Sequence, residues 1–394
     1  MTATKDDVRT DCLIVGGGLA GLATAFSLTE LGVRDVVVVE AEIRSGVHAS
    51  GRSAAMIRQI NCGREITEFS RRGCELWQRR LETWGASDVF TPRGSLLLGG
   101  EALHRDASVA RELGVATEQI SPADARERVP ALAASDFDLA IWTPGDGTVD
   151  ASRLISVLSR AADEGGAQIR LEQRLTHLEQ RAGGFEGRTH QGVRIVAQRV
   201  INAAGAWAGE VGRLLGAAPV PIRPLRRHML RTGAAAIDPS WPFVWNVASG
   251  AYFRPEGDRL LLCACDDAEL PPHDAQPTAD GIRALREKVS AVFPSLPAPV
   301  SEFEWAGLRT FSQSERFVIG PDPVVDGFFW VAGLGGHGVT TSPAVGDHAA
   351  QLVAKPELDT ENPFSPRLSL KNEAEAPNPG VSPGQSGELL PSLS

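Results

Sequence analysis

The stretch Asp11-Cys-Leu-Ile-Val-Gly16-Gly-Gly18-Leu-Ala-Gly21, followed by an apolar run and then Val36-Val-Val-Val-Glu40, decides the fold. An apolar strand, a Gly-x-Gly-x-x-Gly turn, a helix and a second strand ending in an acid make one βαβ unit. Gly16 allows the tight turn, Gly18 lets backbone approach a pyrophosphate, and Gly21 lets helix and strand pack closely. Leu19 and Ala20 begin a helix whose free N–H groups and positive dipole end face the phosphates. Glu40, followed by Ala41, lies 19 residues beyond Gly21, where an acid accepts hydrogen bonds from a ribose diol. The unit predicts dinucleotide binding; which dinucleotide must come from the rest of the chain.

The bulk numbers bound the remainder. A chain of 394 residues suits two lobes sharing a core. Its 42% apolar and 22% charged content is that of a soluble globular enzyme. A net charge of −10 argues against nucleic acid or an anionic membrane surface, both of which demand a basic face. The polar, charged first ten residues predict no signal peptide, and no apolar run approaches the roughly 20 residues that span a bilayer. The five cysteines (12, 62, 74, 263 and 265) are scattered. Cys263 and Cys265 alternate along a strand-like stretch, as two buried thiols rather than a bridge or metal site. A reducing, cytoplasmic setting is expected.

Along the chain, the loop "SGVHASGRSAA" follows the nucleotide unit, and residues 64–84 read as a helix with Ile66, Phe69, Cys74, Leu76 and Trp77 inward. Asp150 is the expected N-cap of a helix that stops at Gly165-Gly166. In "GFFWVAGLGGHGVTTSPAVGD", a strand and a Gly-rich loop precede a helix expected to open at Ser342, with Pro343 as its first residue. After about Pro363 the chain has little to bury and is expected to be a mobile tail. The block order predicts an α/β, two-lobed protein: residues 1–85, 145–218 and 313–362 form a Rossmann-like domain, interleaved with a mixed-sheet substrate domain of 86–144 and 219–312.

"GGGLAG" with Glu40, then "HASGRSAA", "VINAAGAWA" at 200–208, "EWAGLRTF" at 304–311 and "GFFWVAGLGGHGVTTSPAVGD" at 327–347 occur in this order. Over about residues 8–355 the chain resembles the D-amino-acid oxidase superfamily of FAD enzymes, most of all the D-arginine dehydrogenase and glycine/sarcosine oxidase branch. The resemblance implies FAD rather than NAD, held by the first glycine turn and Glu40. It also implies flavin contacts from His48, Ser50, Gly51, Arg52, Ser53 and Ala54, from Leu175, and from Ala204, Gly205 and Trp207. The last glycine loop (Gly333, Gly335, Gly336, His337, Gly338, Val339, Thr340) lets backbone approach a planar ring, and the following helix aims its positive end at the flavin. A histidine in a setting like that of His48 carries FAD covalently in the dimethylglycine and sarcosine dehydrogenases. A similarly placed one in D-arginine dehydrogenase does not, and non-covalent FAD is expected.

In such enzymes a hydride leaves Cα for flavin N5, so the protein mainly positions the carboxylate and excludes water. Arg309 matches a substrate-binding arginine of the family, its plain alternative being an ion pair with Glu302 or Glu304. Arg227, beside Arg226, matches a second. Tyr252, the only tyrosine, stands where the family places a substrate-binding one, and His337 is a candidate to line the site. Where the arginine-specific enzyme has an acid this chain has Ser95, and where it has a histidine and a tyrosine, Met56 and Asn61, with Arg58 between them. Without that acid a guanidinium substrate leaves its charge unpaired, so a neutral, apolar or acidic side chain fits better.

Sarcosine-type oxidases place a lysine near N5. This chain offers Arg254 on the corresponding strand, a slight tilt toward a dehydrogenase over an oxidase. The expected reaction is oxidation of a D-amino acid or N-substituted glycine to an imino acid that hydrolyses to a 2-oxo acid, with oxygen, a quinone or another acceptor. Oxidation of a 2-hydroxy acid, a flavin monooxygenase and a non-catalytic FAD-binding subunit stand as alternatives. No metal site is expected.

Overall fold

In the computed structural model, which describes residues 7–375 and their side chains up to residue 370, the βαβ unit forms as strand Val8–Val15, helix Leu19–Glu30 and strand Val36–Val39. All four valines of the second strand are buried, as a parallel strand covered on both faces requires. Five parallel strands lie in the order 168–170, 36–39, 8–15, 194–202 and 328–332. Val318–Pro321 closes one edge antiparallel. A hairpin of Leu175–Arg181 and Gly184–Thr189 extends the sheet beside the start of Arg194–Asn202. Val8–Val15 therefore has Val36–Val39 on one side and Arg194–Asn202 on the other. Such a reversal of strand order opens a crevice at the carboxyl ends of the strands.

Three helices cover one face of this sheet, Leu19–Glu30, Ala151–Glu164 and Gly338–Ala354, and Arg64–Thr83 packs on the last of them in the same core. On Arg64–Thr83 the expected inward positions are buried, Phe69 only partly. Asp150 caps its helix, its carboxylate accepting from Arg153 N–H at 3.0 Å.

The helix expected to open at Ser342 opens a turn earlier, at Gly338, so Ser342 and Pro343 lie inside it. An interior proline removes one helical hydrogen bond, here the bond to the carbonyl of Val339. That carbonyl instead accepts from Trp77 Nε1 at 2.7 Å. The tertiary bond replaces the helical one, which is why the proline is tolerated.

The residues just after Pro363 are not a tail. Phe364 is buried against Phe69 and Phe317, with ring centroids 4.9 and 5.0 Å apart, and Pro366–Glu375 is helical. Residues 376–394 lie outside the described residues.

The second large sheet has eight strands in the order 301–312, 222–232, 259–263, 252–256, 243–246, 95–99, 139–143 and 118–120. It is antiparallel except between Phe243–Asn246 and Ser95–Gly99, and so is mixed. Its strand Arg259–Cys263 ends at Cys263, and Cys265 lies past it with a left-handed backbone (φ 52°) instead of continuing the alternation. Cys263 is buried and Cys265 half-buried.

Candidate active site

The crevice is a cavity of about 340 Å³ for the centres of water-sized molecules. Its floor is made of the carboxyl ends of four parallel strands: Val15-Gly16, Val39-Glu40, Ala203-Ala204 and Ala332-Gly333. Backbone density there is extreme. Gly16 has φ 110°, and a Cβ on it would lie 2.4 Å from the carbonyl oxygen of Ala203. A Cβ on Gly21 would lie 2.0 Å from the carbonyl oxygen of Gly16, so only glycine lets the helix start against the turn.

Of the predicted nucleotide residues, Gly16, Gly18, Leu19, Ala20, Glu40, Ala41, His48, Ser50, Arg52, Ser53 and Ala54 line this cavity. Leu175, Ala204, Gly205, Trp207, Gly333, Gly335, Gly336, Gly338 and Val339 line it as well. Gly21, Gly51, Thr340 and His337 do not: the first two are spent on close backbone packing, and the last two point elsewhere. Thr340 Oγ1 accepts from Arg58 N–H at 3.0 Å and reaches the carbonyl of Met56 at 3.3 Å.

Glu40 is oriented by the backbone, accepting from Gly17 N–H at 2.7 Å and Glu42 N–H at 3.0 Å. Ser50 Oγ accepts from the first N–H of the helix, that of Leu19, at 3.0 Å. His48 Nε2 meets Glu42 Oε1 at 3.0 Å, and its ring lies 4.6 Å from that of Trp207. Arg52 sends Nη1 to the carbonyls of Ala275 and Ala306 and pairs with Asp274, tying the loop to segments next to the mixed sheet.

At the other end of the cavity stand Met56, Trp245 and Arg309. Arg309 donates to the hydroxyl of Tyr252 at 3.3 Å. Tyr252 is wholly buried behind it, its ring 4.6 Å from that of Trp245 and its hydroxyl 3.5 Å from Met229 Sδ. It is not itself part of the cavity wall, where Arg309, Trp245, Met56 and Ala54 stand between it and the crevice. The ion pair considered for Arg309 does not form: Glu302 pairs with Arg259 and Arg231, and Glu304 with Arg286.

Arg227 does not line the cavity. It is buried on the strand paired with 301–312, and its Nε has no hydrogen-bond partner among the described residues. The Cys265 thiol is held below its ordinary range by its bond with Cys263 and by the charges of Arg227 and Arg309, while burial raises that of Cys263.

His337, Arg58 and Asn61 line a second cavity of similar size. Burial and the charges of Arg58 and Arg309 push the His337 imidazole down to about 3, so it is neutral near pH 7. Arg58 lies with Cζ 4.0 Å from the ring centre of Trp245 and donates to Asn61 Oδ1 at 2.6 Å. Ser95 lines neither cavity. Its hydroxyl is spent on Asp146 at 2.6 Å, and the other Asp146 oxygen accepts from Gln59 N and Nε2. Burial raises the Asp146 carboxyl to about 6 against the pull of these donors. Arg254, the residue standing for a flavin-side lysine, is also absent from the cavity wall, with Nε bonded to the carbonyl of Ala54 at 2.6 Å.

Sequence reasoning missed Trp245, Glu42 and Asp146. Trp245 and Asp146 act through partners distant in the chain or on another strand, while Glu42 acts on His48 within one loop whose shape no spacing reveals.

A glycine cradle at the ends of parallel strands, an acid beside it and a long cavity leading to an arginine define a flavin-type dinucleotide enzyme of the two-sheet class. Residues 11–352 match the family described as DAO, FAD dependent oxidoreductase, and the chain belongs to that family. Its cofactor is FAD, and the cavity fits that group.

The chain is 26% identical over 387 residues to the mitochondrial dimethylglycine dehydrogenase of Mus musculus, covering 90% of this chain and 43% of that protein. It thus spans less than half the length of the dimethylglycine dehydrogenases it matches. It is also 26% identical over 374 residues to the glycine oxidase of Geobacillus kaustophilus, covering 91% of this chain and 96% of that one. The crystal structure of L-proline dehydrogenase from P. horikoshii superposes with a TM-score of 0.82 at 24% identity, covering 93% and 99% of the two chains. No helix among the described residues is long and apolar enough to cross a membrane.

Proposed function

We propose that this chain oxidises an amino acid at the carbon bearing nitrogen, the substrate being a D-amino acid or N-substituted glycine with a neutral or acidic side chain. One observation carries the reading: Arg309 stands at the wall of the FAD cavity with Tyr252 as its hydrogen-bond partner and no carboxylate within 4.0 Å among the described residues. A guanidinium left without an acid next to a redox cofactor is a receptor for a carboxylate that arrives from outside. The glycine oxidase relationship along nearly the full length of both chains agrees with this.

Bound FAD would supply the two-electron acceptor for a hydride leaving the carbon next to a neutral amine, and water would hydrolyse the resulting iminium to a 2-oxo acid and ammonia or an amine. Arg309 holds the substrate carboxylate. Tyr252 fixes the guanidinium in place through its hydroxyl, and Trp245 and Met56 provide an apolar wall that keeps water from the reacting carbon. His337, neutral near pH 7, brings no further positive charge to the neighbourhood of Arg58 and Arg309. Glu40 takes the ribose diol, and the N-termini of the helices at Leu19 and Gly338 face the pyrophosphate and the flavin. FAD is held non-covalently in this reading, with His48 oriented by Glu42 beside the ring of Trp207. We place the 1–85, 145–218 and 313–362 segments in the FAD domain and the rest, through 312, in the substrate domain.

Anaerobic mixing of the yellow protein with D- and L-amino acids, N-methylglycines and 2-hydroxy acids tests the reading. Bleaching by a D-amino acid or an N-methylglycine is the expected result, and bleaching by L-amino acids alone counts against it. Bleaching by a hydroxy acid alone, or none by any compound with intact flavin, overturns it. Reoxidation in air against added quinone then separates oxidase from dehydrogenase, and we favour the latter.

A further inference from the structure

Arg58 is the second cation near the reacting end of the FAD cavity that lacks an acid. No carboxylate lies within 4.0 Å of it among the described residues. Asp146, the nearest buried candidate, has both oxygens occupied by Ser95 and Gln59. Arg316, in the same second cavity, is by contrast neutralised by Glu65 at 2.6 Å. Asp106 and Glu315 also face that cavity, and neither forms an ion pair with Arg58.

The guanidinium is nevertheless held firmly. One face stacks on Trp245 at 4.0 Å, and Nη2 is fixed by Asn61, itself fixed through Nδ2 to Ser70 Oγ at 2.7 Å. Trp245 stacks in turn on Tyr252, which bonds Arg309. An aromatic pair thus spaces two guanidinium groups, one at the wall of each cavity. Two like charges so held repel each other, and an anion seated at each relieves that repulsion.

Resting on the amino acid reading above, we propose that the second cavity is a subsite for a second carboxylate of the substrate, recognised by Arg58, and that the preferred substrate is an amino dicarboxylate. The second carboxylate can belong to the side chain or to an N-carboxymethyl substituent, since either projects away from the carboxylate on Arg309.

The test uses the FAD-loaded protein. Succinate and propionate, which cannot be oxidised, are titrated while the flavin spectrum is followed. D-glutamate, iminodiacetate and glycine are then compared in anaerobic flavin reduction. The dicarboxylate is expected to bind about 100-fold more tightly than the monocarboxylate, and that ratio is expected to collapse toward one in Arg58→Met and to be partly kept in Arg58→Lys. Faster reduction by D-glutamate assigns the second carboxylate to the side chain, and faster reduction by iminodiacetate to the nitrogen substituent. Equal binding of succinate and propionate by the unaltered protein overturns the proposal, as does a ratio unchanged in Arg58→Met. Reduction by glycine without a dicarboxylate advantage sinks only this proposal, whereas no reduction by any amino compound sinks the amino acid reading as well.

Discussion

Replacing Arg309 by Met separates a functional arginine from a structural one. The guanidinium is half-buried, its side-chain hydrogen bond goes to Tyr252 at 3.3 Å, and the glutamates considered as partners are paired elsewhere. A charge kept in such a place costs stability, and methionine fills similar space without it. Thermal unfolding of the FAD-loaded variant is therefore expected at the same temperature or higher, with a gain of about 1 kcal/mol, or about 2 °C for a chain of this size. Substrate recognition moves the other way. Losing a charge-assisted contact to a desolvated carboxylate costs about 3–4 kcal/mol, or roughly 150- to 900-fold in kcat/KM. Both quantities are read on one preparation, by calorimetry and by anaerobic flavin reduction at several substrate concentrations. A melting point lowered by several degrees with substrate affinity intact would show that Arg309 is a structural residue and would refute the reasoning.

Three further outcomes follow from particular contacts. Asp146→Asn keeps every bond, its carbonyl accepting from Gln59 and its amide donating to Ser95. In the parent the folded carboxyl titrates at about 6 rather than 3.8, so the native state retains a proton that the unfolded chain gives up, and stability is lost as pH rises through that window. Urea titrations should show the advantage of the Asn variant growing by about 2 kcal/mol from pH 4 to pH 7, and a pH-independent difference would count against a buried carboxylate. Trp77→Phe leaves the Val339 carbonyl without its 2.7 Å donor and is expected to cost about 2 kcal/mol. Adding Pro343→Ala restores a helical N–H, so the double variant should lose less than the sum of the two, and strict additivity would be the contrary result. Gly21→Ala drives a methyl to 2.0 Å from the Gly16 carbonyl oxygen. It should cost about 2–3 kcal/mol and lower the flavin-to-protein ratio on purification, whereas full occupancy and an unshifted melt would contradict the packing argument.

The parts of the fold legible in the sequence are those set by contacts along the chain. The glycine spacing, the apolar Val36–Val39 run and the Asp150 cap each act within a few residues of themselves, and the βαβ unit and the capped helix formed where they were expected. The helix start at Gly338 was not legible. Pro343 usually marks a first turn, and only the indole of Trp77, brought over from another helix, makes an interior proline acceptable. Phe364 reads as tail in the sequence for a similar reason, since its aromatic partners Phe69 and Phe317 are remote in the chain.

At the site the division is sharper. Sequence alone determined the residue types available: a glycine turn with an acid for the nucleotide, arginines on strands, one tyrosine and no lysine at the flavin strand. Tertiary structure decided which of those side chains are already spent. Ser95 is taken by Asp146 and Arg254 by the carbonyl of Ala54, while Arg309 and Arg58 are left without an acid at two neighbouring cavities. A charge becomes a binding group when the fold gives it no counter-charge, and that depends on neighbours many residues away.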